Sequence, residues 1–185
     1  MSATLHHRRS GTPASAATPP VAKTTPALAA VAAAARIGFG FVFLWAFLDK
    51  TFGLGFATER ADAWIKGGSP TAGFLGHGTK GPFADFYQGL AGSTFVDWVF
   101  MLGLLGIGLA LILGIGMRVA TVSAVAMLLM MWTATLWPEN NPVIDDHIMY
   151  AVSIVVLTLI GAGKAYGLGE KWEELPFVQR NGWLK

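Results

Sequence analysis

Four long apolar runs, with nearly all of the charge displaced between them, constrain this chain more than any other feature. They are Ala27–Leu48, Phe95–Met117, Val119–Trp137 and Ile148–Gly163. A helix rises 1.5 Å per residue, so about 20 residues cross a bilayer core of about 30 Å. The first three runs reach that length within a residue or two. The fourth is shorter and must borrow from Asp145–His147 or from Lys164–Tyr166. Hydrophobic residues make up 54% of the chain and charged residues 13%, against roughly 25% charge in an ordinary soluble domain. These features predict an all-α integral membrane protein, a four-transmembrane-helix bundle with one long outer loop.

The chain has no cysteine. That excludes disulfides, iron–sulfur clusters, thiolate zinc sites and a cysteine nucleophile within it. Any redox chemistry must therefore pass between bound small molecules or through a partner subunit. No flavin motif is present, and a metal site is not expected, because His147 offers a lone imidazole and His77 sits among glycines. The formal net charge of +2 gives no sign of a nucleic-acid partner.

Residues 1–26 are rich in Ser, Thr, Pro and Ala, with a basic cluster at His6–Arg9, and read as a disordered cytoplasmic tail. A basic patch before an apolar run also resembles a signal peptide. The run is longer than a usual signal core and lacks a small-residue cleavage site, so it reads as a retained first span. The membrane domain is expected over 27–166, with an outer lid at about 51–94 and a cytoplasmic interfacial tail over 167–185. With the N-terminus inside, the inner flanks carry eight Lys and Arg, including Arg118, Lys164 and Lys171. The outer side carries four: Lys50, Arg60, Lys66 and Lys80. This bias places both termini on the cytoplasmic side of the plasma membrane. The lid segment mixes Gly and Pro with Trp64, Phe83, Phe86 and Tyr87, which suits a membrane–water boundary. Ala30, Ala34 and Gly38 repeat every four residues, as do Ala110 and Gly114. Such small residues predict close helix packing, with a possible homo-oligomer contact on one face.

Arg36 lies nine residues into the first run, about 14 Å deep by helical rise. No acidic residue of the other runs is expected at that depth. An arginine there calls for an anion, a quinone oxygen or backbone carbonyls. If the span instead begins near Ile37, Arg36 reaches the inner phosphates. Lys50 lies fourteen residues further on, four turns less about 40°, so both cations project from one stripe with Gly40, Phe43 and Phe47. Lys50 is then an anion ligand or an interfacial anchor. Asp145, Asp146 and His147 open the fourth run. Acidic residues favour a helix N-terminus, and a carboxylate beside an imidazole can also move protons near neutral pH. Asp146, Tyr150 and Ser153 form one polar stripe, with Tyr150 a donor to an oxyanion or a quinone carbonyl. The candidate set is Arg36, Lys50, Arg60, Lys66 and Tyr150 for an anion, and Asp146 and His147 for protons.

Several of these segments resemble a known family. Arg36-Ile-Gly38 followed by Asp49-Lys50 is similar to the Arg–x–x–Gly … Lys pattern of the DoxX/DoxD membrane proteins. Gly114-Ile-Gly-Met-Arg118-Val-Ala resembles that family's Gly–x–x–x–Arg turn. Asn141-Pro-Val-Ile-Asp-Asp-His147 and Gly161-Ala-Gly-Lys-Ala-Tyr-Gly-Leu-Gly169 resemble its closing segment. The likeness covers roughly residues 30–170, and the aromatic loop with Trp64-Ile-Lys-Gly-Gly-Ser-Pro70 leans toward the DoxD-like branch. The family often has a glycine where this chain has Phe47. The resemblance implies a membrane subunit of the thiosulfate:quinone oxidoreductase type, joining two thiosulfates into tetrathionate and using a quinone as electron acceptor. In that reading Lys50, with Arg60 or Lys66, holds the oxyanion, Arg36 and Tyr150 contact the anion or the quinone, and Asp146 or His147 handles protons. Two further roles remain open: a scaffold that recruits a soluble sulfur or redox enzyme to the membrane, and a small-anion transporter.

Overall fold

A computed structural model of the chain describes residues 25–185. The tail expected over residues 1–26, with its basic cluster, lies outside them except for Thr25 and Pro26. These two open the first helix, α1, Pro26–Phe52. Thr25 accepts a hydrogen bond from the Leu28 amide and Pro26 fits the first turn, where its missing N–H costs nothing. The helix stops at Gly53, whose φ of 63° a side chain would resist. Its 27 residues cover both starting registers considered from the sequence, and Arg36 and Lys50 both lie within it.

Helix α2 (Ala84–Gln88) is short. Helices α3 (Thr94–Leu113) and α4 (Met117–Ala134) form a tight pair, because Gly114 and Gly116 both have positive φ, 74° and 54°. Helix α5 (Asp146–Leu159) is capped by Asp145, and two short helices follow, α6 (Gly169–Glu174) and α7 (Pro176–Arg180). The described residues contain no strand beyond an isolated Lys80–Thr135 bridge. Three helices, α1, α3 and α4, are long and apolar enough to cross a membrane. Helix α5 has 14 residues, about 21 Å by helical rise. The chain leaves α-helical geometry after Leu159, at the left-handed Gly161, so the fourth apolar run is not one continuous helix.

The core is built from the inward faces of α1, α3, α4 and α5, with Phe43, Met101, Ile107, Leu111, Leu128 and Ile154 buried together. The closest approach joins α1 and α3. A Cβ on Gly40 would lie 2.8 Å from the Ile112 amide nitrogen, and one on Gly108 would lie 2.8 Å from the Leu44 nitrogen. Glycine lets the two backbones meet there. The Ala30, Ala34 and Gly38 repeat behaves differently from expectation. All three are exposed, and a Cβ on Gly38 would meet nothing. The α1 face that packs carries Ala32, Ala33, Arg36, Gly40 and Phe43 instead. Opposite this core, Phe41, Leu102, Val122, Val152 and Leu159 stand exposed, as suits helices covered by lipid.

Residues 53–93 fold over the end where α1 stops and α3 starts. Two buried carboxylates fasten them. Asp49 accepts the Phe56 and Ala57 amides at 3.2 and 3.0 Å. Asp97 accepts the Ser69 hydroxyl, the Thr71 amide and the Thr71 hydroxyl at 2.9, 3.1 and 2.6 Å. Trp64 meets Trp98 edge to face at 4.7 Å. The Lys80 amide donates to the Ala134 carbonyl, and its ammonium pairs with Glu139 at 2.8 Å. That hydrogen bond holds the Glu139 carboxyl below its ordinary value.

Candidate functional site

The predicted site residues fall into three separate places. The first is the end of the bundle opposite the lid, where Arg36 is fully buried. Its Nε donates to the Ala162 carbonyl at 3.0 Å. One terminal nitrogen donates to the carbonyls of Leu111 and Ile112, the latter at 2.8 Å. The other donates to those of Ala165 and Tyr166, at 3.2 and 3.4 Å. A guanidinium has five N–H donors, and each has a carbonyl acceptor. These carbonyls lie at the C-terminal end of α3 and in the chain after α5, where helical acceptors lack partners and a cation is favoured. Gly114, Gly163, Gly167 and Gly169 crowd round this group. A Cβ on Gly167 would sit 3.0 Å from the guanidinium, and one on Gly169 would sit 2.7 Å from the Gly163 carbonyl oxygen. Of the partners considered for Arg36, backbone carbonyls are the ones it meets.

The second place is under the lid. Lys50 lines a cavity of about 350 Å³. Its other walls include Phe74, Phe95, Phe100, Met127, Met130 and Met131. Tyr87 also reaches it, with the hydroxyl held 2.6 Å from that of Thr133. Among the described residues no hydrogen-bond acceptor or carboxylate pairs with the Lys50 ammonium, because adjacent Asp49 is turned onto the Phe56 and Ala57 amides. Phe95, Val99 and Met130 line the cavity and are exposed on the apolar flank. The cavity therefore opens sideways between α3 and α4. Neither Arg60 nor Lys66 lines it. Both are exposed, in short turns at Arg60–Asp62 and Trp64–Lys66.

The third place is the start of α5. Asp145 caps the helix through the Ile148 amide at 3.2 Å, and its other oxygen lies 2.8 Å from His147 Nδ1. Asp146 Oδ1 is 3.6 Å from the same nitrogen and largely exposed. The donor atoms of these three residues lie within 4.8 Å of one another, and capping with the Asp145–His147 contact already engages both Asp145 oxygens. Tyr150 packs edge to face on Phe39 at 5.3 Å, and Ser153 bonds back to the Met149 carbonyl at 2.7 Å. Of the polar stripe expected along Asp146, Tyr150 and Ser153, Asp146 is exposed and the Ser153 hydroxyl is bonded to its own helix.

Sequence reasoning placed Tyr87 at the membrane–water boundary and did not connect it, Phe74 or Met127, Met130 and Met131 with Lys50, since these meet only in the folded chain. Asp97 did carry a signal: an acidic residue in the first turn of an apolar helix. Comparison of the chain with models of known families, with curated proteins and with solved structures gives no match.

Proposed function

We propose that this chain is a four-span membrane bundle, α5 and the chain after it completing the fourth crossing and residues 53–93 forming an outer lid. In this reading it serves as a quinone-linked oxidoreductase subunit acting on a small sulfur oxyanion. The observation that carries the proposal is the Lys50 cavity: apolar and sulfur-rich walls, a lateral mouth, and one ammonium without a partner. A ligand suited to it has a flat apolar body and an oxygen acceptor, and is soluble in lipid. A quinone meets all three requirements and supplies a two-electron acceptor.

Lys50 donates a hydrogen bond to a carbonyl oxygen of such a ligand and stabilises the negative charge that grows there on reduction. The aromatic and methionine walls exclude water, which strengthens that attraction. A doubly charged oxyanion is a poorer occupant of this cavity, because one ammonium and apolar walls cannot replace its hydration. Its place is the water-facing lid surface that carries Arg60 and Lys66. Two thiosulfates joining as tetrathionate release two electrons, which together with two protons reduce the quinone. Asp146 and His147, at the same end of the bundle, are the proposed proton carriers. The distribution of Lys and Arg supports cytoplasmic termini and a lid on the outer side.

The test is extraction of the purified protein for quinone by ultraviolet absorption, with thiosulfate-dependent reduction of a soluble quinone analogue. Lys50→Met is the control. Bound quinone and turnover, both lost in the variant, are expected. Neither activity nor quinone in the native protein overturns the proposal and turns attention to a scaffold role.

A further inference from the structure

At the end of the bundle away from the lid, two cavities adjoin. One, of about 200 Å³, is lined by Arg118, Lys164 and Lys185, with the Glu173 carboxylate and the terminal carboxylate of Lys185. Its floor is backbone, at Gly114, Gly116 and Gly163. The other, of about 320 Å³, is a shallow apolar groove between α3 and α4, running past Gly106, Ile107, Val119 and Leu102. Gly116 and Trp172 line both. The first has the charge and size for a phosphate-sized anion, and the second has the chemistry for a hydrocarbon chain.

The groove exists because glycines line it. A Cβ on Gly106 would meet nothing, and one on Gly103 would meet only the tip of Met127. The shared wall is fixed in place, as Trp172 Nε1 donates to the Leu184 carbonyl at 2.7 Å. Arg118 donates to the Gly182 carbonyl at 2.9 Å, and Lys164 pairs with Glu173 at 2.8 Å. With three cations against the Glu173 carboxylate and the terminal carboxylate of Lys185, whose oxygen takes the Arg118 amide at 3.0 Å, the charged cavity keeps an excess of one positive charge.

We infer that these two cavities form one site for an anionic phospholipid, with the phosphate among Arg118, Lys164 and Lys185 and an acyl chain in the groove beside Gly106. The site rests on the membrane reading of the chain but not on which leaflet it faces, nor on any activity at Lys50. Basic pockets beside membrane helices hold acidic head groups through the same attraction. A free phosphate satisfies the charged half alone, so the two occupants are separable.

The test is native mass spectrometry of the full chain released from detergent with phosphatidylglycerol, phosphatidylcholine or inorganic phosphate. One phosphatidylglycerol retained at least about tenfold more than phosphatidylcholine, and not displaced by millimolar phosphate, is expected. Lys164→Gln weakens retention by about fivefold, the effect of one cation near an acidic head group. Gly106→Leu fills the groove without a clash and weakens it at least as much, while unfolding in detergent stays unchanged or improves. Equal retention of the two lipids overturns the site. So does displacement by phosphate, or a Gly106→Leu protein that binds as the native one does, since either leaves a simple anion site.

Discussion

Arg36 and Lys50 are two cations on one helix, and their surroundings are opposites. Arg36 is enclosed by five carbonyl contacts from two other segments. Lys50 lines an apolar cavity, and its ammonium makes no hydrogen bond or ion pair among the described residues. A buried charge whose every donor is engaged holds the fold together and has nothing left for a ligand. A charge left without partners is held at a cost to stability that a ligand can relieve. The end of the bundle near Arg36 is a joint, and the end near Lys50 is the receptor of the proposed function.

The largest effect that would break this contrast is at Arg36. Arg36→Met leaves buried carbonyls without donors and is expected to destabilise the protein by more than about 3 kcal/mol, read as loss of the folded species in detergent melts. Arg36→Lys, with three donors at a single point, should recover part of it. An Arg36→Met protein that folds normally and loses only ligand binding would reverse the assignment. Next comes Gly163→Ala, whose Cβ would lie 2.6 Å from the Met117 side chain and 2.8 Å from the Gly114 carbonyl. It is expected to cost about 1–3 kcal/mol, checked by the same melts.

At the receptor end the signs invert. Lys50→Met should leave the melting temperature unchanged or raised and reduce affinity for a quinone analogue about tenfold or more, the value of a charged hydrogen bond in a dry site. Binding isotherms in detergent decide it. Asp97→Asn, which weakens the hold on Ser69 and Thr71, should cost about 1–2 kcal/mol and show as faster proteolysis within residues 53–93.

The smallest effect is at Lys80–Glu139. The Lys80 hydrogen bond depresses the Glu139 pKa, so the contribution of the pair is present above the ordinary carboxylate range and is lost as pH falls through the depressed value. Both groups are exposed, so high salt should remove the effect too. Acid titration of the melting temperature for Glu139→Gln against the native protein reads it.

The helices were legible because their signals are local. The run Ala27–Leu48 became Pro26–Phe52, Phe95–Met117 became Thr94–Leu113, and Val119–Trp137 became Met117–Ala134. The shift at the α3–α4 turn comes from Gly114 and Gly116, which take the left-handed conformation. The stripe of Arg36, Gly40 and Phe43 was legible too, since a period of 3.6 places them on one buried face. The partners of Arg36 were not. Backbone carbonyls were among the partners expected, but every residue carries one, and only the fold selects Leu111, Ile112, Ala162, Ala165 and Tyr166. The cavity was hidden for a related reason. Its wall draws on the lid, α3 and α4 together, and Tyr87 or Phe74 has no local pattern pointing to Lys50. The small-residue repeat misled at Ala30, Ala34 and Gly38 because two stripes of similar composition run along α1, and it is Gly40 that meets Gly108.

The meeting of Gly40 with Gly108 fixes which parts of the molecule can move. At that crossing no side chain separates the backbones, so α1 and α3 are expected to move as one body. Breathing of the lateral mouth must then come from α4, whose Met130 and Met131 can change rotamer while α1 and its Lys50 stay still. On that expectation the α1 backbone that carries Lys50 is the fixed jaw of a vice, and the methionine helix is the jaw that travels.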